Sequence, residues 1–471
     1  MSETITVRTE TEESAGDLAV YNKFDGTVIA RLSQSTEEDV ERQLKRAAAA
    51  AGSAAAMPRH ERGRILDTAA DLLKQRADKA ANLIVLEAGK TIRQARKEVS
   101  RAINTLKLSA AETRRNAGEV VPFDSFAGSE NRLGWFSREP LGLIAAITPY
   151  NDPLNLVAHK LGPAIAGGNT VILKPSQLTP LSAMFLVDLL LEAGIPADFV
   201  IVVLGDRTIA QTIIKSKLVR MVSFTGGFAT GSAIAASAGI KRLSMELGGN
   251  APVIVYEDAD VPAAVEACVS GSFWAAGQNC IGAQRILVQR TVFNDFLESF
   301  VAQTNALVTG NPTNESTDVG PMITQAAAEE ARRKIDQAVA EGARLLTGGN
   351  LTGAVLTPAV LTAVPRSCEA WSEELFAPVV LLEPFDTQDE AIRLANDSEY
   401  ALQAGVFTKD LARALATAKA IDAGGVMIND SSDYRHDAMP FGGSKYGSMG
   451  REGVRFAYEE MTQPKVIAIA S

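Results

Sequence analysis

Three residues of this chain have side chains that could act together on a carbonyl carbon, and each stands in a short, turn-like string. Cys280 follows Gly-Gln-Asn and precedes Ile-Gly, and such small neighbours could leave its thiol reachable as a nucleophile. Glu246 precedes Leu-Gly-Gly-Asn, where partial burial would raise its pKa toward that of a useful general base. Asn151, in Pro-Tyr-Asn-Asp-Pro, offers an amide donor that can hold a developing oxyanion.

Each of these residues also has an ordinary structural interpretation. A lone cysteine is most often a small buried hydrophobe, which suits Cys268 and Cys368 better than Cys280, because neither is flanked so closely by Gly and Asn. Glu246 alone could be a surface acid before a turn. Asn151 alone could be an ordinary turn residue before Asp-Pro.

Two further strings follow predicted strands in the manner of ligand-binding turns. Phe224-Thr-Gly-Gly-Phe-Ala-Thr-Gly opens a predicted helix, whose free N–H groups and dipole favour a phosphate. Lys174-Pro-Ser follows the predicted strand 170–173, at the carboxyl edge where parallel sheets bind ligands. Taken singly, a tight turn and a solvated lysine explain these strings better.

The elements that would carry these residues alternate between helices and short apolar strands. Residues 36–116 have a helical pattern, and after Leu141 continuous apolar runs alternate with helical segments. Such runs are typical of buried parallel strands, so we predict an α/β fold with two α/β units in sequence. The tail 465–470 has a strand pattern, and an uncovered strand there would favour pairing with another chain.

Composition excludes some classes of function. The chain of 471 residues has 46 Lys and Arg against 56 Asp and Glu, a formal charge of −10, so we expect no nucleic acid partner. Three cysteines without a C-x-x-C string and three widely separated histidines predict neither a disulfide framework nor a metal site. Without an apolar leader or an 18-residue apolar run, the sequence predicts a cytoplasmic protein with no membrane association.

Together, and in this order, the strings resemble those of one family, the NAD(P)-dependent aldehyde dehydrogenases. The resemblance runs from about residue 20 to the C-terminus. It rests on Pro149-Tyr-Asn-Asp-Pro, Gly167-Gly-Asn-Thr-Val-Ile-Leu-Lys-Pro-Ser, Phe224-Thr-Gly, Glu246-Leu-Gly-Gly-Asn, Gly277-Gln-Asn-Cys, Glu373-Glu-Leu-Phe-Ala-Pro and Pro440-Phe-Gly-Gly. The stretch 151–159 is similar to members that act on lactaldehyde and on phosphonate- or sulfonate-bearing aldehydes.

The resemblance implies a fold of three parts. A Rossmann-like cofactor domain would span 1–247, interrupted by a β excursion near 118–140, and an α/β catalytic domain would span 248–445. The excursion would join a strand from the C-terminal segment 446–471 in a small oligomerisation flap. A homodimer or homotetramer is expected.

The resemblance also assigns roles in catalysis. Cys280 as thiolate attacks the aldehyde carbon, and the Asn151 amide and the Cys280 backbone N–H stabilise the oxyanion. Hydride leaves for the nicotinamide, and Glu246 activates the water that hydrolyses the thioester to the acid. A CoA-acylating semialdehyde dehydrogenase and a catalytically silent structural homologue are the alternatives; Glu246 favours water over CoA, and the complete Cys, Glu and Asn set argues against the silent homologue.

For the cofactor, the resemblance implies eight contacts. They are Lys174, Ser176 and Gln177 near the adenosine ribose, Gly226, Gly227 and Gly231 at the pyrophosphate turn, and Glu374 and Phe376 at the nicotinamide ribose and ring. NAD-preferring members often have glutamate at the position of Gln177, where it would repel a 2′-phosphate. Glutamine would not, so the cofactor is predicted as NAD or NADP.

Three polar residues are predicted near the substrate by the same resemblance. Asp152 and His159 stand where family members often have large aromatic residues, and Lys107 lies on a helix that lines the entrance. A mouth of this composition suits a small polar or anionic aldehyde better than a fatty or aryl one. The alternative for His159 is a satisfied helix residue packed away from the site.

Overall fold

The structure is a computed structural model that describes residues 16–115 and 117–470. Its α-helices are α1 Glu37–Ala56, α2 Arg59–Gln75, α3 Ala77–Ala88, α4 Ile92–Arg115, α5 Asn155–Gly167, α6 Pro180–Glu192, α7 Arg207–Lys215, α8 Phe228–Ala238, α9 Val261–Phe273, α10 Arg290–Asn305, α11 Gln325–Ala340, α12 Glu369–Ser372, α13 Gln388–Asn396, α14 Leu411–Ala420 and α15 Val454–Glu460. Short 3-10 helices cover Phe123–Ser125 and Trp274–Gly277.

Its strands are β1 Asp17–Tyr21, β2 Val28–Ser33, β3 Gly118–Val120, β4 Arg132–Pro140, β5 Leu143–Ile147, β6 Thr170–Lys174, β7 Val200–Val202, β8 Val219–Thr225, β9 Arg242–Glu246, β10 Ala251–Val255, β11 Ala283–Gln289, β12 Arg344–Thr347, β13 Leu351–Thr352, β14 Val355–Leu356, β15 Ala359–Thr362, β16 Val379–Phe385, β17 Tyr400–Ala401, β18 Gln403–Phe407, β19 Gly425–Ile428, β20 Ser444–Lys445, β21 Ser448–Met449 and β22 Thr462–Ala470. The α/β fold class predicted from the apolar runs is confirmed.

The first large sheet has the strand order β21-β9-β8-β5-β6-β7. All its pairs are parallel except β21 with β9. The chain leaves β5 toward β6 and β7 and then crosses to the other side for β8 and β9, so the strand order reverses beside β5. In open α/β sheets, ligands bind at the carboxyl ends of the strands at such a reversal. Helices cover both faces, as the apolar character of β5, β6 and β8 requires.

The second large sheet has the order β12-β15-β16-β11-β10-β18-β19, parallel except at β12. It has its own apolar core, formed with α9, α10 and α11. The break between β9 and β10 lies next to the predicted domain boundary after residue 247, and the domain limits themselves stay a prediction. Residues 1–15 of the predicted cofactor domain lie outside the described range.

A third sheet has the order β22-β4-β3 and stands apart from both large sheets. β22 pairs with β4 over nine residues, from Thr462 opposite Pro140 to Ala470 opposite Arg132. The β excursion and the C-terminal strand expected from the sequence therefore lie in one sheet.

Candidate active site

The carboxyl ends of the first sheet and the amino ends of the second sheet meet at a cavity of about 640 Å³. Asn151 comes four residues after β5, Gly226 directly follows β8, and Glu246 ends β9. From the second sheet, Cys280 precedes β11 and Glu374 precedes β16. The predicted residues that line this cavity are Asn151, Asp152, Gly226, Gly227, Glu246, Cys280, Glu374 and Phe376. The proposed nucleophile, base and oxyanion donor thus lie in one cavity, although up to 129 residues separate them in sequence.

Cys280 is reached through a turn with unusual backbone conformation. Ala275, Ala276 and Gly277 all have positive φ, at 51°, 55° and 68°. A side chain at Gly277 would overlap the Ala377 carbonyl oxygen, 2.0 Å from an ideal Cβ, so this position needs glycine. Left-handed alanines cost free energy and persist only where the surroundings enforce them, as at functional sites.

The Cys280 thiol differs in setting from the other two cysteines. Cys268 and Cys368 are buried and lie outside the cavity lining, whereas Cys280 is partly exposed in it. Burial raises the pKa of the Cys280 thiol, and the positive charge of Arg435 opposes this. Arg435 lines the same cavity and is the cation that favours the thiolate.

Glu246 is a buried carboxyl with neither oxygen hydrogen-bonded among the described residues. Burial, followed by the nearby charge of Glu452, raises its pKa well above 4.5. A carboxyl whose pKa is raised by burial inside a cavity is a candidate for a general base. Both oxygens are buried at the edge of the cavity and accept no hydrogen bond from the described residues, so neither is already committed to another donor.

Gly249 allows the segment between β9 and β10 to pack directly against this centre. At Gly249 an ideal Cβ would lie 1.9 Å from the Cys280 carbonyl oxygen, so the two backbone segments touch. The Gly249 N–H donates to Glu374 Oε1 at 2.8 Å, while burial raises the pKa of Glu374 to about 7. Phe376 has φ of 46° and packs edge-to-face on Tyr150 at 5.9 Å between ring centroids.

The remaining predicted cofactor residues lie along the first sheet, outside the cavity lining. Lys174 ends β6, and burial lowers its pKa to about 8, opposed by Asp206. The Gln177 amide donates to Gln34 Oε1 at 3.1 Å, and Ser176 Oγ accepts from the Leu178 N–H at 3.2 Å.

Helix α8 begins after Gly227 without a side-chain cap, and nothing lies within 4 Å of an ideal Cβ at Gly227. At Gly231 a Cβ would meet the Leu247 side chain at 2.4 Å, so that glycine allows close packing of helix and strand. An uncapped helix start with open backbone and a buried lysine at a strand end fit the phosphates and ribose of a dinucleotide.

Two of the predicted substrate residues are not brought to the cavity. His159 is fully buried, and its Nε2 lies 3.0 Å from Asp437 Oδ1, which agrees with the alternative of a packed helix residue. Lys107 is half exposed and pairs with Asp71 at 3.1 Å. Asp152 does line the cavity, yet its carboxylate is bound by Lys90 and Arg101.

The sequence reasoning missed the two arginines of the cavity, Arg101 and Arg435. Arg101 lies on α4 six residues before Lys107, on another face of the helix because six residues turn it by about 240°. Glu98, three residues before Arg101, gave no signal for it either, because its partner in the structure is Lys90. Arg435 lies near the Pro440-Phe-Gly-Gly string and had no signal of its own.

Both arginines keep a hydrogen-bond donor free. The Nε atoms of Arg101 and Arg435 are buried and have no hydrogen-bond partner among the described residues. Arg435 donates to Glu452 Oε2 at 2.9 Å and covers the ring of Phe441 at 3.7 Å. A buried guanidinium with an unused N–H suits a planar oxyanion group of a ligand.

Within residues 16–115 and 117–470, no three His, Cys, Asp or Glu side chains come together as metal ligands. No helix in those same ranges is long and apolar enough to cross a membrane.

Comparison with known proteins places these features in one family. The model of the aldehyde dehydrogenase family matches residues 10–467. Aspartate-semialdehyde dehydrogenase 1 of Pseudomonas canavaninivorans is 58 % identical, over 96 % of this chain and 96 % of its own. The 3-sulfolactaldehyde dehydrogenase of Priestia aryabhattai is 42 % identical, over 98 % of this chain and 97 % of its own.

Among solved structures, aldehyde dehydrogenase 21 from Physcomitrella patens, in complex with its reaction product succinate, superposes with a TM-score of 0.96. It is 38 % identical, and the match covers 99 % of this chain and 98 % of that one. The resemblance drawn from seven strings, including its similarity to enzymes of sulfonate-bearing aldehydes, is confirmed. This chain belongs to the aldehyde dehydrogenase family, whose members oxidise aldehydes to carboxylic acids with NAD or NADP.

Proposed function

We propose that the aldehyde oxidised by this enzyme is small and carries a carboxylate, or a similar oxyanion group, at its far end. The observation that carries the proposal is the pair Arg101 and Arg435, which line the same cavity as Cys280 and each keep a buried, unused Nε–H. Directional donors, rather than net charge, would select the anion, because each guanidinium already pairs with a carboxylate.

The relatives support an anionic substrate. Their names specify aspartate semialdehyde and 3-sulfolactaldehyde, and the solved relative holds succinate as its product. Each of these molecules has a carboxylate or sulfonate besides the reacting carbon. This chain keeps two arginines in the cavity where such a group has to be recognised.

Specific residues carry the reaction in this proposal. The Cys280 thiolate adds to the aldehyde carbon, and the carbonyl electron pair moves to oxygen, where the Asn151 amide and the Cys280 N–H donate to it. A bound nicotinamide dinucleotide supplies the hydride acceptor. Cys280 then carries the acyl group as a thioester.

Glu246 completes the turnover. Its carboxylate takes a proton from water as the water oxygen attacks the thioester carbon, and the carbon–sulfur bond breaks to release the acid and the Cys280 thiolate. The raised pKa of Glu246 favours its protonated form, whereas this step needs the carboxylate. Its unpartnered oxygens in the same cavity support transfer to water over transfer to CoA.

The cofactor in this proposal lies along the first sheet. Lys174, Ser176 and Gln177 would hold the adenosine ribose, and the turn from Gly226 to Gly231 the pyrophosphate. Glu374 and Phe376 would hold the nicotinamide half. Gln177 carries no charge against a 2′-phosphate, so NAD and NADP both stay candidates.

A second candidate substrate carries an ammonium group as well. Asp430 and Asp433 line the cavity, and no ion pair joins either to a cation in residues 16–115 and 117–470. Burial raises the pKa of Asp433, and a hydrogen bond from Ser431 and the charge of Lys97 oppose this effect. An amino-acid semialdehyde would place its carboxylate at the arginines and its ammonium at these acids.

One panel of substrates tests the proposal. We expect kcat/KM for succinic semialdehyde, aspartate semialdehyde or 3-sulfolactaldehyde to exceed that for butanal by about tenfold or more, with NAD and NADP tested in parallel. Preference for aspartate over succinic semialdehyde would select the second candidate. Equal or better turnover of butanal would refute an anionic substrate, and acyl-CoA formed on adding CoA would refute hydrolysis.

We also propose a homodimer or homotetramer assembled through the third sheet. Five apolar side chains share one face of it, because Val120 pairs with Trp135, Trp135 with Ile467, and Leu133 with Ile469. All five are exposed, Val120 by 81 % and Leu133 by 71 %. An exposed apolar face of this kind marks a protein–protein contact. Localisation in the cytoplasm stays a prediction.

A further inference from the structure

A chain of buried polar groups lies behind Arg101, away from the cavity. Arg101 donates from one terminal nitrogen to Asp437 Oδ1 at 2.8 Å, and the Asn155 side-chain amide donates to the same oxygen at 3.3 Å. His159 Nε2 lies 3.0 Å from that oxygen as well. Three groups thus converge on one carboxylate oxygen.

The groups behind Arg101 cannot touch a ligand in the cavity. His159 and Asn155 are fully buried, Asp437 is 4 % exposed, and none of the three lines the cavity. Residues so placed act on the site only through the side chain they hold, which is Arg101.

His159 serves as a neutral donor in this arrangement. Burial lowers its pKa, and Arg435 lowers it further, whereas Asp437 and Glu452 oppose both effects. Because an ionised carboxylate only accepts, Nε2 carries the proton, and Nδ1 has no hydrogen-bond partner among the described residues. A neutral imidazole orients the carboxylate without cancelling its charge.

Arg101 is held from its other side too. Its second terminal nitrogen donates to Asp152 Oδ2 at 3.2 Å, and Asp152 also binds Lys90. Asp152 directly follows Asn151, the proposed oxyanion donor. The guanidinium is therefore fixed between Asp152 and Asp437, and its Nε–H remains unused.

We propose that Asp437, oriented by His159, is a positioning residue that fixes Arg101 for the anionic end of the substrate and so sets the preference for charged over neutral aldehydes. The proposal rests on the anionic substrate proposed above. A preorganised guanidinium loses less side-chain freedom on binding an anion than one that must first be ordered.

Charge alone and loss of positioning predict opposite effects of an Asp437 substitution on the binding of an anionic aldehyde, so one variant distinguishes them. Asp437→Asn removes a negative charge near the anion-binding arginine, so charge alone would strengthen binding of an anionic aldehyde. Loss of positioning would weaken it. A purely structural defect would affect charged and neutral aldehydes alike.

The experiment measures kcat/KM for succinic semialdehyde and for butanal in the full-length enzyme. For Asp437→Asn we expect the ratio of the two values to fall about tenfold, mainly through KM for succinic semialdehyde, while butanal stays within about twofold. His159→Phe, which removes the donor, should lower the ratio in the same direction and keeps the test open if Asp437→Asn does not fold. Asp258→Asn, an acid paired with Arg413 outside the cavity lining, is the matched control and should leave the ratio unchanged.

A double variant separates the possible failures. In an Arg101→Ala background, Asp437→Asn should change the ratio no further, because its effect passes through Arg101. If Arg101→Ala leaves the ratio unchanged, Arg101 does not bind the anion and the positioning role fails with it, whereas the substrate panel above decides separately whether the aldehyde is anionic. Suppose instead that Arg101→Ala lowers the ratio. If Asp437→Asn then raises the ratio, leaves it unchanged or lowers kcat/KM equally for both aldehydes, only the positioning role fails.

Discussion

At the scale of single residues, burial governs the two groups that exchange protons in the proposed reaction. It raises the pKa of the Cys280 thiol and of the Glu246 carboxyl, so the reactive ionised forms are disfavoured in the structure as it stands. Arg435 favours both ionised forms. The arginine that we propose to recognise the anion thus also favours the ionised forms of both reactive groups.

Glu246→Gln should separate the two halves of the reaction. The amide keeps the shape of the side chain but cannot take a proton from water, so we expect the steady-state rate to fall about 10²- to 10⁴-fold. One equivalent of reduced cofactor per active site should still form rapidly, as rapid-mixing absorbance would show. In the parent enzyme, thioester hydrolysis should speed up as pH rises through the raised pKa of Glu246; the variant should lose that dependence.

Glu373→Gln provides the control for this variant, because Glu373 is exposed and lies outside the cavity lining. A Glu246→Gln enzyme with an unchanged steady-state rate would remove Glu246 from the role of base.

At the scale of elements, one carboxyl that is distant in sequence accepts hydrogen bonds at the start of α6. Glu87 on α3 accepts from the backbone N–H groups of Leu181 and Ser182 at 2.7 Å each, at the start of α6. Helix α6 has no side-chain cap of its own at Thr179. The first turn of α6, after the Lys174 loop, is therefore tied to α3 through a single buried carboxyl.

The Glu87 contact predicts a specific dependence of stability on pH. Burial raises the pKa of Glu87 to about 7 from 4.5, so its proton is bound more tightly in the folded state. The stabilisation is complete below pH 4.5 and is lost as pH rises through about 7. For Glu87→Gln, the free energy of unfolding relative to the parent should shift in favour of the variant by up to roughly 3 kcal/mol between pH 4.5 and 8 in urea titrations.

Glu192, the last residue of α6, provides the control for Glu87→Gln. Glu192 is exposed, and its hydrogen bonds to Arg76 lower its pKa. Glu192→Gln should show no such gain with rising pH, and a Glu87→Gln curve parallel to the parent's would contradict the burial argument.

At the scale of the whole molecule, the third sheet leaves an apolar face that neither large sheet covers. Trp135, Ile467 and Ile469 add to it at 40 to 52 % exposure each. A pair of charged substitutions on this face should disfavour any assembly that buries it, since unpaired charges are costly away from water.

Leu133→Lys with Ile469→Lys should therefore shift the enzyme toward the 49.9 kDa monomer in light scattering coupled to gel filtration. Ile240→Lys, at a fully exposed apolar residue on a different surface, should leave the mass unchanged. An unaltered oligomer in the double variant would assign assembly to another surface.

Much of this architecture can be predicted from local patterns. The apolar runs of β5, β6, β8 and β10 identify buried parallel strands, and the glycine-rich strings after or before them identify the turns of the site. Cys280 could be preferred over Cys268 because flanking residues determine how closely a chain segment can approach a ligand. Strand burial, turn formation and the setting of Cys280 depend on a few neighbours in sequence, so they can be predicted without knowledge of the fold.

The surroundings of Arg101, Arg435, His159 and Lys107 depend on packing between segments that are separate in sequence. Arg101 meets Asp437 across 336 positions of the chain. Which face of α4 turns toward the cavity follows from how α4 packs on α2 and α5, and no local pattern states that. The amino-acid order alone therefore specifies the reactive groups and their turns, whereas long-range packing selects the polar side chains that surround them, because burial and partner choice are properties of the assembled fold.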